Sequence, residues 1–278
     1  MFSCSEPINW LERAKTEYQQ EDYLGAIVAL NTQLIDSDTS CEVLYLRGAS
    51  FRRIQKWQFA SADLKRAEQM YPECIEARIE LARVLFDSGD TAATKLQLNR
   101  LQHIKGKPGS EIQIEYALLA YRQDRFHEAL LHLDNAIAYD SSSYLAWYYR
   151  GYLQSRFTDD DHSAGTRIME LFDFDKSLHD FTRSIALDPQ FADAWYLRGI
   201  VYLNRRNHKS GLADLERAIK LDPSNSYYYT GRAEYFLREK NFEAAKKDLE
   251  KAIQLNFNDT LSKQLLKRSV DSLNNKFN

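Results

Sequence analysis

The sequence predicts an all-α protein built from repeated helical hairpins that stack into a solenoid. The main observation is a period of about 34 residues, clearest in the segments Cys41–Pro72 and Asp193–Pro223, which carry an Arg-Gly dipeptide at the matching place. Composition points the same way, because the chain has only 5 Pro and 10 Gly among 278 residues and is rich in helix formers. A repeat of this size cannot bury its apolar face alone, so neighbouring repeats must stack.

Seven repeats can be placed in a single array, with starts near residues 7, 41, 75, 110, 144, 192 and 226. In each repeat, apolar or small residues recur at spacings of three and four in two blocks, which places each block on one face of a helix. The sixth repeat has Trp195, Gly199 and Tyr202 in its first block. Asp-Pro pairs at 188–189 and 222–223 end second helices, because proline lacks a backbone donor and restricts the residue before it.

Two segments depart from the regular repeat. The fifth repeat contains an insertion at 157–170, which must leave the hairpin between its two helices. A partner-binding segment and a tolerated surface loop both fit an insertion at this place. Its run Asp159-Asp160-Asp161 lacks the alternating spacing of a calcium loop. Residues 260–278 are predicted to form a C-terminal capping helix over the exposed apolar face of the last repeat.

Charge and cysteine content restrict the class of protein. The net charge of −3 gives no reason to expect nucleic acid or an anionic membrane as partner. The sequence contains no stretch of about 18 apolar residues, so no transmembrane helix is predicted. The N-terminus lacks the pattern of a signal peptide. Cys4, Cys41 and Cys74 lie far apart in the sequence, so we expect no disulfide framework and a reducing, cytoplasmic location.

Nothing in the sequence predicts catalysis, a metal or a cofactor. The 6 His are scattered without the spacing of metal ligands and without accompanying Cys. Neither of the glycine-rich phosphate-binding motifs, GxxxxGK[ST] and GxGxxG, occurs. We therefore expect a protein that acts by binding and is not an enzyme.

Four repeats share a pair of opposite charges. Each has Arg just before the small residue in the middle of its first helix, and Asp sixteen positions later once the insertion in the fifth repeat is removed. We expect each pair to form a charge-assisted bridge between the two helices of its hairpin, in a structural role. The four pairs are Arg47 with Asp63, Arg150 with Asp180, Arg198 with Asp214, and Arg232 with Asp248.

The pattern over residues 7–259 resembles the tetratricopeptide repeat. In the sixth repeat the residues that carry the resemblance are Trp195, Gly199, Tyr202, Gly211, Leu215, Ala218 and Pro223. Glu17, Gln33 and Phe257 depart from the family pattern in the first and last repeats. The resemblance implies a right-handed superhelix whose first helices line a concave groove, in which a peptide or helix of a partner protein is bound.

The groove-facing residues would lie on one stripe of each first helix, and Arg and Tyr predominate there. Both are enriched at the energetic hot spots of interfaces. We expect the groove to bind a peptide carrying acidic and aromatic residues, with the tyrosines around Tyr148 as its centre; side chains paired within the chain are the alternative. The candidate residues are Tyr45, Arg52, Arg53, Arg83, Arg122, Tyr148, Tyr152, Arg156, Tyr196, Asn204, Tyr227 and Arg238. Glu42, Glu76, Glu111 and Asp193 share the stripe.

Two kinds of protein-binding role remain open at this point. An adaptor or assembly factor would bind a client segment reversibly, whereas a permanent subunit of a complex or homo-oligomer would bury its convex face or the ends of the array. Some members of the family bind the C-terminal carboxylate of a chaperone through Lys and Asn residues on three consecutive first helices. No consecutive triple of repeats has that set, which disfavours a chaperone partner.

Overall fold

The structure is a computed structural model that describes residues 9–35, 39–102, 109–155 and 173–274. All regular elements in these ranges are α-helices, which confirms the predicted all-α class. They are α1 (Trp10–Gln19), α2 (Tyr23–Ile35), α3 (Cys41–Arg53), α4 (Trp57–Met70), α5 (Ile75–Asp87), α6 (Thr91–Gln102), α7 (Gly109–Arg122), α8 (Phe126–Tyr139), α9 (Tyr144–Ser155), α10 (Phe174–Leu187), α11 (Ala192–Asn204), α12 (His208–Leu221), α13 (Ser226–Arg238), α14 (Phe242–Leu255) and α15 (Thr260–Asn274).

The odd-numbered helices α1 to α13 are the first helices of seven hairpins, and they begin within three residues of the predicted repeat starts. The chain forms two compact units, unit 1 (Met1–His132) and unit 2 (Leu133–Asn278). In unit 1, α3 packs against α1 and α5, and α5 packs against α7. In unit 2, α11 packs against α9 and α13, and α13 packs against α15. Each unit therefore has its own continuous face of first helices.

The turn inside the hairpins uses the left-handed backbone region at one repeat position. Gly89 occupies this position in the third hairpin with a φ of 87° and open space where a Cβ would lie. Residues with side chains occupy it in the other described turns, where the same conformation is strained. They are Glu21, Gln55, Asp124, Arg206 and Lys240, with φ between 55° and 61°.

Close approach of the two helices in a hairpin depends on small residues. A Cβ added at Gly48 would lie 2.7 Å from Cγ of Leu64, and one added at Gly211 would lie 2.5 Å from Cδ2 of Leu203. Real side chains do not approach so closely, so larger residues would separate the helices. The small residue of the repeat pattern is thus a packing requirement.

The expectation of no disulfide is wrong for two of the cysteines, because Cys41 and Cys74 form a disulfide. Cys41 begins α3 and Cys74 precedes α5, so the two lie at nearly equivalent positions of successive hairpins, 33 residues apart. Stacking of the hairpins brings their Cα atoms to 6.5 Å, within the range that a disulfide can span. The prediction failed because it took a long separation along the sequence as a long distance in space. In a stacked array, residues one repeat apart lie close together. The argument for a reducing compartment loses its basis.

The last helix, α15, packs on the seventh hairpin. Leu265 and Leu266 contact the buried cluster that contains Ala233 and Leu249. The Ser269 hydroxyl donates to the backbone carbonyl of Phe242 at 2.8 Å. The apolar face of this hairpin is covered in this way. Residues 275–278 of the predicted cap and the insertion at 157–170 lie outside the described residues.

Candidate protein-interaction site

The structure brings together all four predicted Arg–Asp pairs. In each pair the Arg Nε donates to Asp Oδ2 at 2.7 Å. The Nη2 group donates to Oδ1 at 2.6 to 3.0 Å, which completes a two-bond fork between the helices of one hairpin. All four carboxylates are buried. Such a pair holds the register of a hairpin and offers no carboxylate to a ligand.

Three of these arginines also reach the second helix of the preceding hairpin. Nη1 of Arg47 donates to Asn31 at 2.8 Å, and Nη1 of Arg198 donates to Thr182 at 3.2 Å. Nη1 of Arg150 donates to Asp134 at 2.7 Å. The partner lies sixteen residues before the Arg in every case. Sequence reasoning missed this second contact, although the mirrored spacing was present as a signal.

Arg52 and Arg83 on the first-helix face of unit 1 are paired within the chain. Arg52 donates to Glu80 at 2.5 Å and to Asp87 at 2.8 Å. Arg83 donates to Glu115 at 2.7 Å and to Glu80 at 3.3 Å. The carboxylates of Glu80 and Glu115 are buried. A ladder of ion pairs therefore joins α3, α5 and α7, and these two arginines are not free to bind an acidic ligand.

The other candidates of unit 1 contact aromatic rings. Arg122 lies 3.8 Å from the ring centroid of Phe86 and donates to the Phe86 carbonyl. Arg53 lies 6.0 Å from the ring centroid of Tyr23. Tyr45 packs half-buried against the cores of two hairpins, and burial raises its pKa. In the part of unit 1 that the structure describes, Arg53 and Arg122 form no ion pair.

Tyrosines dominate the first-helix face of unit 2. We call Tyr148 and Tyr152 of α9, Tyr196 of α11 and Tyr228 of α13 the tyrosine face. The Tyr148 ring meets the ring of Phe191 edge-on at 4.8 Å, and the Tyr196 and Tyr228 rings are 5.1 Å apart. Tyr148, Tyr152 and Tyr196 are half-buried, whereas Tyr228 is buried.

Two features hold Tyr196 and Tyr228 in place. The Tyr228 hydroxyl donates to Asp193 Oδ1 at 2.6 Å, which links α13 to α11. The side chain of Tyr196 packs against α13 at Gly231, which has no side chain. A Cβ at Gly231 would be 2.5 Å from the Tyr196 hydroxyl, so only glycine leaves room for this ring. Sequence reasoning missed Tyr228 and Gly231, which lie on the neighbouring helix and contribute only through stacking.

The surroundings of the tyrosine face keep its phenols neutral. Burial raises the pKa of Tyr148, and the nearby carboxylate of Asp193 adds to that effect. Burial raises the pKa of Tyr196 to about 12, with Glu234 and Asp193 contributing in the same direction. Each phenol therefore remains a hydrogen-bond donor at physiological pH.

The remaining predicted groove residues are peripheral to the tyrosine face. Arg238 donates to Asn204 at 3.3 Å, and both are exposed. Tyr227 is 68% exposed at the start of α13. Arg156 lies outside the described residues.

The described residues contain no cluster of His, Cys, Asp or Glu that could hold a metal ion. None of their helices is long and apolar enough to cross a bilayer.

Three family models of the tetratricopeptide repeat match the chain, at residues 116–156, 192–225 and 226–259. Together with the hairpin fold, these matches show that the matched residues form tetratricopeptide repeats. Repeats of this family indicate a protein-interaction scaffold, and the fold is generally a non-catalytic interaction module. No curated protein has significant sequence similarity to the chain.

Several solved structures share the fold at low sequence identity. A chain of the APC/C hetero-tetramer Cut9–Hcn1 is 13% identical with a TM-score of 0.69, over 95% of this chain and 49% of that one. A tetratricopeptide repeat protein from Parabacteroides merdae is 19% identical with a TM-score of 0.61, over 94% and 97%. Human IFIT1, as a dimer with m7Gppp-AAAA, is 15% identical with a TM-score of 0.73, over 91% and 60%. The chain thus spans about half of the first and three-fifths of the last.

Proposed function

We propose that the protein binds a peptide or helix of a partner protein on the first-helix face of unit 2. The observation that carries the proposal is the tyrosine face, where Tyr148, Tyr152 and Tyr196 lie half-buried on neighbouring first helices. Each such ring combines apolar contact area with a hydroxyl donor, which is the chemistry of interface anchors.

The packing of the rings favours this use. Phe191 restrains the ring of Tyr148, and Gly231 and Tyr228 restrain that of Tyr196. Side chains held before binding lose little rotamer entropy when a partner arrives. A partner segment would therefore gain most of the contact energy that these rings provide.

An acidic segment fits only part of the molecule. In unit 1, Arg52 and Arg83 already neutralise buried carboxylates, whereas Arg53 and Arg122 have no ion pair among the described residues. A peptide with acidic and aromatic residues would use these two cations. We confine the acidic-peptide proposal to unit 1 for this reason.

A permanent structural role is the second candidate, because α2 exposes an apolar stripe. Leu24 is 65% exposed, Val28 63% and Ile35 83%, and helical spacing places the three on one face. Large contiguous apolar patches on a protein surface mark sites of protein contact. The Cut9–Hcn1 hetero-tetramer and the IFIT1 dimer are assemblies of this fold, and the stripe would serve a similar assembly here.

Protein remains our proposed partner class, although human IFIT1 has been solved with a capped RNA oligonucleotide. Nucleic-acid affinity depends on cations that neutralise phosphates. The chain has a net charge of −3, and Asp193 and Glu234 flank the tyrosine face. These carboxylates oppose phosphate binding at that face.

Affinity capture from native extract tests the proposal. Wild-type protein is compared with a Tyr152→Ala, Tyr196→Ala variant and with Tyr139→Ala, which makes the same chemical change at an exposed tyrosine of α8. Circular dichroism checks that all three proteins are folded. We expect the double variant to lose a specific protein that the Tyr139→Ala control retains. If the same proteins are captured by all three, the tyrosine face is not the binding surface.

A further inference from the structure

We infer that the tyrosine face binds a basic segment, with a Lys or Arg side chain placed among the Tyr rings and the carboxylates of Asp193 and Glu234. The inference rests on the proposed function, because it names the chemistry of the segment bound at the same face. It differs from the expectation of an acidic partner that the sequence alone suggested.

A comparison of equivalent repeat positions carries the inference. In unit 1, Lys15 of α1 pairs with Glu42 of the next first helix at 2.8 Å. The same two repeat positions in α9 and α11 hold Tyr152 and Asp193. At these two positions of unit 2 the carboxylate, Asp193, is present, but a tyrosine, Tyr152, replaces the lysine. A partner that supplies Lys or Arg would restore the pair.

The carboxylates at this face have no ion-pair partner among the residues that the structure describes. Asp193 accepts a hydrogen bond from Tyr228 through Oδ1, and Tyr228 is neutral at physiological pH. Across the described residues no cation lies within ion-pairing distance of Asp193 or Glu234. Arg238, one turn beyond Glu234 on α13, acts electrostatically on that carboxylate, but its guanidinium donates its hydrogen bond to Asn204 and forms no ion pair with Glu234. Carboxylates on the first helices of unit 1, such as Glu80 and Glu115, are paired with Arg instead.

The two carboxylates flank Tyr196 from both sides. Asp193 lies one turn before Tyr196 on α11, and Glu234 lies about one turn beyond Gly231, over which the Tyr196 hydroxyl is placed. Both carboxylates act electrostatically on Tyr196. Aromatic faces attract cations, and the attraction is strengthened when anions lie nearby and the site is partly removed from water.

An extended segment suits the distribution of these groups. Tyr152, Tyr196 and the two carboxylates belong to three neighbouring first helices, α9, α11 and α13. A single small cation would contact only one part of that surface. An extended peptide with several spaced Lys or Arg residues would contact all three helices. Its backbone carbonyls would accept hydrogen bonds from the neutral phenol hydroxyls.

Fluorescence anisotropy with three labelled peptides tests the inference. The peptides have the same length and the same Ala and Ser background, and they carry Arg, Gln or Glu at the same spaced positions. We expect the Arg peptide to bind the full-length protein about tenfold more tightly than the Gln peptide, and the Glu peptide to bind most weakly. Raising the salt concentration should reduce the advantage of Arg.

Two charge-removing variants make the test specific. Asp193→Asn with Glu234→Gln should abolish the advantage of the Arg peptide over the Gln peptide. The matched control, Glu216→Gln with Glu243→Gln, removes two exposed carboxylates from the second helices α12 and α14 and should leave that advantage unchanged. Circular dichroism verifies that each variant is folded.

The outcomes separate this inference from the proposed function. The inference is overturned if the Arg peptide binds no better than the Gln peptide, if it shows no binding, or if its advantage survives Asp193→Asn with Glu234→Gln. Loss of the captured partner in Tyr152→Ala, Tyr196→Ala would then still support protein binding at the tyrosine face. If those tyrosine substitutions leave both the partner and the Arg peptide bound, the proposed function fails as well.

Discussion

Arg198 of α11 and Asp214 of α12 are joined by two hydrogen bonds of 2.7 and 3.0 Å, and the Arg198 Nη1 group reaches Thr182 of the preceding hairpin at 3.2 Å. One guanidinium thus contacts three helices. The Asp214 carboxylate is buried and accepts both of these hydrogen bonds from Arg198. Pairs of this kind fix the register within a hairpin and contribute to the stacking of the next.

Removing one partner of this pair should destabilise the protein. Arg198→Met leaves the buried carboxylate of Asp214 without its cation, so we expect the free energy of unfolding to fall by about 2–3 kcal/mol. The double variant Arg198→Met, Asp214→Leu should recover part of that loss, because no buried charge remains. Urea denaturation of the single and double variants measures the coupling. Additive effects of the two substitutions would contradict a direct interaction.

The hairpin turn offers a matched pair of substitutions. Gly89 and Gln55 occupy the same left-handed turn position. Gly89→Ala should lower the free energy of unfolding by about 1 kcal/mol, because Ala is strained at this φ while the space for its Cβ is open. Gln55→Gly should raise it by about 0.5 kcal/mol through relief of the same strain. Thermal or urea unfolding checks both. If the two substitutions changed the free energy of unfolding in the same direction, backbone strain at this position would not explain the stability.

The disulfide predicts a stability that depends on reductant. Cleaving the bond between Cys41 and Cys74, which are separated by 33 residues, should lower the free energy of unfolding by about 3 kcal/mol. Peptide mass spectrometry without reduction should find the two cysteines cross-linked. The Cys41→Ala, Cys74→Ala variant serves as control, and reductant should not change its free energy of unfolding. Free, alkylatable thiols at both positions in the untreated protein would exclude the bond.

The buried phenol of Tyr196 predicts a change of stability at alkaline pH. Its pKa is about 12 in the native protein and about 10 in an unfolded chain. Its neutral form is therefore favoured by folding, so its contribution to stability is complete below pH 10 and is lost as the pH rises towards 12. Tyrosinate absorbance should show a step near pH 12 that Tyr196→Phe reduces, and the remainder belongs to Tyr116, whose pKa burial also raises to about 12. The control Tyr227→Phe, at an exposed tyrosine, should leave that step in place.

Local sequence pattern was enough to predict the hairpins and to point to the Arg–Asp pairs. Spacings of three and four fix helix faces, and a separation of sixteen residues joins positions that face each other across one hairpin, as for Arg198 and Asp214. Contacts between hairpins were not predictable in the same way. The Cys41–Cys74 bond and the Arg83–Glu115 pair depend on how successive hairpins stack and how far each side chain reaches.

The candidate site shows the same limit. The tyrosines of the first helices were evident from their stripe in the sequence. Their packing was not, because the ring of Tyr196 is positioned by Gly231 and Tyr228 of the next hairpin. The pairing of Arg52 with Glu80 was not evident from the sequence either, and it occupies an arginine that was predicted to anchor a partner. Composition of a stripe shows which chemistry is present, whereas stacking decides which groups are already paired.

Site-specific photocrosslinking tests the central claim most directly, because it reports contact at a single position in native extract. A photoreactive phenylalanine analogue replaces Tyr152 of the tyrosine face in one protein and exposed Tyr139 of α8 in another. Our account predicts a specific protein adduct from position 152 and none from position 139. An adduct from position 139 alone, or none from position 152, would contradict binding at the tyrosine face.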